Sequence, residues 1–297
     1  MARDRKIGLK GVLAAAVGCV ALLGAAPAFA QFGGGCDRAT LEKITDAYVK
    51  AQNSGDTTGI PMNLWVDYNE NLDEGLMSTG VISKPQKVDF TRSILDTQSC
   101  QSFTEVIITD PAHPYVLGAH LTARGGYISG IDILVTDQKN GWLFSPAGTL
   151  KYDKAESWAP IPEAERDSRQ TLIAAADAYL DYFADKKVAV PWGAPCERLE
   201  GGLYTGKGGP GVSDPGDTCN VGVPNNVKIV DRQYIVEPEI GAVTVINHFG
   251  TNAEPDSHTF RVEHGKIRYV HTITACKIAN CGLKMSPEIQ AKLAAGG

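Results

Sequence analysis

Apolar residues recur at helical spacing in two places along the chain, residues 41–52 (LEKITDAYVKAQ) and 172–183 (LIAAADAYLDYF), and both stretches carry Asp-Ala-Tyr at the same point, 46–48 and 177–179. The spacing predicts two amphipathic helices of one design. Downstream of each, the pattern changes to short apolar runs broken by Gly and Pro, which predicts strands joined by turns. The first copy places these at 103–108, 115–121 and 125–135, the second at 233–236, 242–249 and 265–273. Each copy therefore reads as a helix followed by three strands. Pro160 and Pro162 interrupt local structure between the copies, and Asp167 or Ser168 then offers a cap for the second helix. Two homologous α+β units are expected at 36–158 and 163–275, with a C-terminal tail at 276–297.

A different pattern opens the chain. Basic residues from Arg3 to Lys10 precede an apolar run over 12–26 and then Ala28-Phe29-Ala30, the make-up of a signal peptide (residues 1–30) cleaved before Gln31. The apolar run falls short of the roughly 20 residues that span a bilayer. Ala16-Val17-Gly18-Cys19 resembles a lipobox, but the apolar stretch continues past Cys19 to the Ala-x-Ala site. A periplasmic or secreted protein is expected, with no membrane attachment after cleavage. Lys and Arg number 28 against 34 Asp and Glu, and without residues 1–30 the balance is 24 against 33, a net −9. Nucleic acid and anionic membranes are thus poor partners. Hydrophobic residues at 43% suffice to bury a core.

Beyond Cys19 the chain has six cysteines, Cys36, Cys100, Cys196, Cys219, Cys276 and Cys281. An even number in an exported chain points to disulfides rather than zinc. Fifteen pairings are open to six cysteines, and chain order suggests Cys36–Cys100, Cys196–Cys219 and Cys276–Cys281. The Gly/Pro-rich segment 201–226 reads as a long loop tethered by Cys219, of the kind that often serves as a lid or binding loop. Its Gly206-Lys207-Gly208-Gly209 lacks the Gly-Lys-Ser/Thr ending and the helix of a phosphate-binding loop.

The helix with Asp-Ala-Tyr, the stretch Tyr68-Asn69-Glu70-Asn71 and the closing strand triplet resemble the nuclear transport factor 2-like (SnoaL-like) cone, here in tandem. The strings Arg92-Ser93-Ile94-Leu95-Asp96, Thr109-Asp110-Pro111-Ala112-His113-Pro114-Tyr115, Val190-Pro191-Trp192-Gly193, Cys219-Asn220-Val221-Gly222-Val223-Pro224 and Pro255-Asp256-Ser257-His258 are similar to a secreted two-repeat family whose activities are largely unassigned. The resemblance implies an α+β protein of two tandem cone-shaped (cystatin-like/SnoaL-like) barrel repeats, stabilised by disulfides. It also implies that an Asp or His projecting into a cone acts as general base. Alignment on Gly126 and Gly265 sets Asp132 against His271, which makes these two the leading candidates. His120 and His248 fall near equivalent positions on the preceding strand and are added as catalytic candidates, since an imidazole near neutrality suits proton transfer. Each of the four can equally be bonded to a neighbour without function.

Arg92 either meets a carboxylate, phenolate or oxyanion of a substrate or pairs with Asp96 or Glu105. Tyr68, Tyr115 and Trp192, with Trp65, either line an aromatic-binding cavity or belong to the core. His258 can belong to a hydrogen-bonded turn with Asp256, and His113 and His264 are flanked by turn residues. No Gly-x-Ser-x-Gly string, dinucleotide fingerprint, His-x-His or His-Glu-x-x-His occurs. No metal site is expected unless ligands assemble across strands, and no cofactor is expected. What remains is an exported, cofactor-independent acid/base lyase, eliminating or cleaving a C–C bond in a small aromatic such as a lignin-derived diol. Deformylation is the specific form that a weaker resemblance to cofactorless lyases implies. The alternative is a noncatalytic small-molecule-binding or interaction module. The expected partner is a small aromatic molecule, with a homo-oligomer left open.

Overall fold

The computed structural model describes residues 36–295, so the expected signal peptide and its cleavage site lie outside the described residues. Helix α1 (Arg38–Ser54) starts where Asp37 accepts a hydrogen bond from the Thr40 amide and stops at Gly55, whose φ of 70° suits a residue without Cβ. Strands β1 (Met62–Glu70), β2 (Asp73–Glu74), β3 (Phe90–Asp96), β4 (Gln101–Ile108), β5 (Tyr115–Arg124) and β6 (Tyr127–Thr136) follow. A connection carrying α2 (Pro146–Asp153) leads to α3 (Arg169–Asp181), capped by the Ser168 side chain on the Thr171 amide. The second half then repeats the first with β7 (Trp192–Glu200), β8 (Leu203–Tyr204), β9 (Ile229–Glu237), β10 (Ala242–Phe249), β11 (Glu254–Glu263) and β12 (Lys266–Thr274), before the tail helix α4 (Pro287–Ala294).

The two six-stranded sheets have the same order, β2-β1-β6-β5-β4-β3 and β8-β7-β12-β11-β10-β9. Only β1–β6 and β7–β12 pair in parallel. The expected barrels are corrected to open sheets, because β2 and β8 are two residues long and leave no partner for β3 or β9 to close upon. Three strands per copy is corrected to six. Strand β1 exposes Leu64 and Trp65 together, which breaks the period-two pattern, and β7 holds Gly193 and Pro195, which read as a turn. Segment 201–226 is irregular apart from β8. No helix among the described residues is long and apolar enough to cross a membrane.

Each helix covers one face of its own sheet. Ile44 and Tyr48 of α1 pack on Val106, Leu117, Leu121 and Ile131, while Leu172, Ala176 and Tyr179 of α3 pack on Val243, Phe260, Val262 and Val270. The opposite faces meet each other in a third core of Ile94, Phe103, Val116 and Leu134 against Ile235, Ala242, Ile246 and Ile273. Two reciprocal ion pairs close this contact. Arg169 at the start of α3 binds Asp96 on β3, and its counterpart Arg38 at the start of α1 binds Glu237 on β9. Each buried carboxylate also accepts a backbone amide from the other half, Val236 to Asp96 at 2.9 Å and Leu95 to Glu237 at 2.7 Å. The contact thus has the i-to-j, j-to-i form of an isologous interface within one chain.

All three disulfides form in the suggested pairing, Cys36–Cys100, Cys196–Cys219 and Cys276–Cys281. They fit an oxidising compartment.

Candidate functional site

Strand β11 places Asp256, His258, Phe260 and Val262 on the face beneath α3, because alternate residues of a strand share a face. Asp256 and His258 are both buried there, and His258 Nδ1 lies 2.7 Å from Asp256 Oδ2. The other Asp256 oxygen accepts the Thr274 hydroxyl at 2.6 Å. With the carboxylate as acceptor, the neutral imidazole of His258 carries its proton on Nδ1 and leaves the lone pair on Nε2. Phe260, Tyr179 and Phe183 surround the ring.

His258 lines a cavity of about 380 Å³, at the small end of the range for ligand sites. Its walls are mainly apolar: Leu143 and Trp142 from the connection, Phe249 from β10, Leu203 from β8, and Val221 and Pro224 from the irregular segment. The tail closes it with Leu283, Met285 and Ile289. Gly201 has φ 56°, and a Cβ there would overlap the Trp142 carbonyl, so glycine lets the connection lie against the β7–β8 turn. Arg198 is spent on structure. Its guanidinium donates to Tyr179 Oη, to the carbonyls of Cys219 and Val221, and faces Glu200 at 2.8 Å. Glu200 also accepts the Trp142 indole N–H at 3.1 Å.

His271 and Asp132 do occupy matching positions, opposite Thr259 and His120 respectively, but both project from the sheet face away from the helix. The expectation that they point into a cone is corrected on that ground. His271 is buried between the sheets, with Nε2 2.7 Å from Glu156 and Nδ1 3.3 Å from Glu105. Burial alone would lower its pKa, yet Glu156 and Glu105 outweigh it and push the imidazole up to about 10. Both nitrogens then donate, and no lone pair remains for a base. Arg92 joins the same cluster, pairing with Asp153, lying 3.9 Å from Glu105 and stacking on Trp158 with its guanidinium carbon 4.4 Å from the ring centre. Burial, then Glu105, raises Asp153 to about 8. Glu105, Asp153 and His271 bring potential metal donors within 4.8 Å of one another, assembled across strands. Arg92 Nη1 already contacts both carboxylates, so the guanidinium holds the place of a cation in this set.

Asp132, His120 and His248 line one cleft of about 250 Å³ between the sheets, with Asn69, Asp231 and Gln233. His120 Nε2 lies 2.8 Å from Gln101, while its buried Nδ1 faces Asp132 at 3.3 Å without completing a hydrogen bond. Burial favours a neutral Asp132, but hydrogen bonds from His120 and Asn69 outweigh it and keep the carboxyl below its ordinary range. His248 makes a part-exposed pair with Asp231 at 3.1 Å. The two histidines are not structural equivalents: His120 lies on β5 and His248 on β10, which matches β4. Of the aromatic candidates, Tyr68 is buried in the first core and bonded to Glu70, Tyr115 packs at the edge of that core, Trp192 packs between Tyr179 and Tyr182, and Trp65 is exposed. None of them, nor Arg92, reaches the 380 Å³ cavity. His113 and His264 are exposed.

His258 is therefore a buried histidine whose Nε2 has no hydrogen-bond partner among the described residues, and it lines the 380 Å³ cavity. Sequence reading passed over it because Pro255 and the polar run after it look like a turn. The available signal was period two: Asp256, His258, Phe260 and Val262 continue one strand face.

The two sheets and their helices define an α+β protein built from two halves of one topology, with a polar dyad in the second. Residues 165–274, which span α3 to β12, match the model of a domain of unknown function, DUF8021. The matched segment contains Asp256, His258, Arg198 and Glu200. No curated protein matches the chain significantly.

Proposed function

We propose that the protein is an exported, cofactor-independent acid–base enzyme whose reaction runs in the second-half cavity, with His258 as general base and Asp256 as the residue that orients it. The observation carrying this reading is the buried His258–Asp256 pair, whose Nε2 has no hydrogen-bond partner among the described residues and whose ring lines a mainly apolar cavity. Tandem SnoaL-like cones remain our reading of the architecture, supported by the helix over one face of each sheet and the parallel β1–β6 and β7–β12 pairings. Export is supported by the three disulfides.

The chemistry such a site favours is proton removal followed by elimination or C–C cleavage of a small aromatic. On a lignin-derived diol, His258 Nε2 would take the proton of the primary alcohol, and the bond to its carbinol carbon would break to release formaldehyde. The electron pair would displace the benzylic hydroxyl, and the imidazolium would return its proton, so that water leaves and a stilbene remains. Apolar walls suit a noncatalytic binding protein as well, and one experiment separates the two. Aromatic alcohols are screened for turnover without added cofactor, using wild type and His258→Asn. Turnover lost in the variant supports the enzyme; binding without turnover in wild type supports the binding module.

A further inference from the structure

We propose that the C-terminal segment is a specificity strap, and that Lys284 on it selects ligands carrying one anionic group, such as a carboxylate, on a small apolar body. The inference rests on the reading of the second-half cavity as the reaction site and names its substrate class. Two cationic residues line that cavity, Arg198 and Lys284. Arg198 is unavailable to a ligand, since its donors are taken by Tyr179, Cys219 and Val221 and its charge is matched by Glu200. Lys284 makes no hydrogen bond or ion pair among the described residues. Lys284 is exposed at the cavity mouth, where the anionic group of a ligand seated on the apolar walls would meet an ammonium with no partner of its own. Glu200 does not cancel this attraction, being engaged by Arg198 and by the Trp142 indole.

The mouth of the cavity carries a second mark of a ligand. Leu283 on the tail is 59% exposed and Val221 on the irregular segment 49%, although both line the cavity. A bound apolar body would cover them and bring the two segments together over it. The tail is fixed at both ends, by the Cys276–Cys281 loop at its root and by the Ser145 hydroxyl on the Leu293 carbonyl at 3.0 Å. Lys284 lies between these anchors, on the span that has no strand or helix of its own.

The test compares cinnamate with cinnamyl alcohol, two probes alike in shape and differing in charge, by calorimetry on the exported full-length protein. Cinnamate should bind about threefold to fivefold more tightly in wild type, in line with an exposed charge pair. Lys284→Met should abolish that preference while leaving cinnamyl alcohol within about twofold, and Lys284→Glu should reverse it. Equal affinities in wild type, a preference that survives Lys284→Met, or binding of neither probe would each overturn the proposal. His258→Asn separates this result from the catalytic reading. It should keep the cinnamate preference, so lost preference in the Lys284 variants with intact turnover chemistry at His258 bears on the strap alone, and unchanged turnover in His258→Asn bears on the base alone.

Discussion

The two halves share one strand order, yet the space that holds a cavity beneath the helix of the second is lined by buried aliphatic residues in the first. The register equates Asp256 with Leu117, His258 with Ala119, Thr272 with Ile133 and Thr274 with Val135. These polar positions of the second half, of which His258 and Thr274 line the cavity, are thus aliphatic in the first. The irregular segments differ as well. In the first half Val81 and Ile82 are buried, the Val81 amide donates to Glu70 and its carbonyl accepts Gln52, and a Cβ on Gly80 would overlap the Tyr68 hydroxyl. The segment plugs the space. In the second half Arg198 stands where Tyr68 stands in the first, and with the Cys196–Cys219 disulfide it holds the segment out over the rim. Identical topology therefore leaves the choice between core and site to four strand positions and one loop tether.

The largest effect should come from breaking that difference at its polar end. His258→Asn should lower kcat by roughly 10²–10⁴-fold, the usual range for a general base, with the unfolding midpoint nearly unchanged. Asp256→Asn should lose activity as well, since one of the two oxygens that accept from His258 and Thr274 becomes an NH2 donor, and the negative charge beside the imidazolium is lost. The matching substitution in the first half, Ala119→Ser, should leave turnover at the wild-type level. Activity that follows Ala119 rather than His258 would place the reaction in the wrong half.

Next in size is the contact between the halves. Asp96 is fully buried, binds the partly exposed Arg169 and accepts the Val236 amide. Asp96→Ala should cost about 2–4 kcal/mol, near the lower part of the range for breaking a buried ion pair. Glu237→Ala, its reciprocal, should cost a similar amount, and denaturant unfolding of the two variants tests the symmetry. A loss below about 0.5 kcal/mol in either would show that the reciprocal carboxylates do not hold the halves together.

How much of this was legible in the chain follows from what each feature depends on. The two repeat helices, a cap at Asp167 or Ser168 and the proline break rest on local spacing, and chain order suggested the cysteine pairs that form. Strands β1 and β7 did not, because each pairs in parallel with a strand far along the chain and needs no local alternation. The position shared by Asp132 and His271 was readable, but the face they occupy was not. A β-bulge beside each, at Thr122/Ala123 and Arg261/Val262, shifts the inward-outward count that the matching Gly turns suggest. Arg92 and His271 were each picked out separately; their meeting depends on the single connection that carries Asp153, Glu156 and Trp158 between the sheets.

That connection underlies a second contrast. A chain of two halves has one connection, so only one of two equivalent interface positions can be filled by it. The filled one is the Arg92–His271 cluster; the open one is the cleft at Asp132 and Gln233. The cluster should make stability depend on pH. His271, raised from 6.5 to about 10, contributes stability that is complete below pH 6.5 and lost as pH rises through 10. Asp153, raised from 3.8 to about 8, acts in the same direction between those values, because the fold favours its neutral form. Glu105 opposes them at the acid end: burial raises it, His271 and Arg92 outweigh that, and its contribution is lost as pH falls below the ordinary 4.5. The unfolding temperature should therefore fall steadily from pH 6.5 to 10, and His271→Gln should flatten that slope. A midpoint that rises over this interval would contradict the assignment.

The smallest effect should come from making the open position resemble the filled one. Register equates Gln233 with Arg92, each opposite its neighbour on the adjoining strand, Ile246 and Glu105. Gln233 is exposed at the cleft, and Asp132 across it is held in its ionised form by His120 and Asn69 against the pull of burial. Gln233→Arg would supply the cation that the filled position already has. The new pair would be part-exposed, and no counterpart of Trp158 or Asp153 covers it, so the gain should stay within about 0–1 kcal/mol and shrink in high salt. Chemical denaturation at low and high ionic strength measures both. A stabilisation well above 1 kcal/mol that persists in salt would mean that the guanidinium alone, rather than the connection packed over it, secures the filled position.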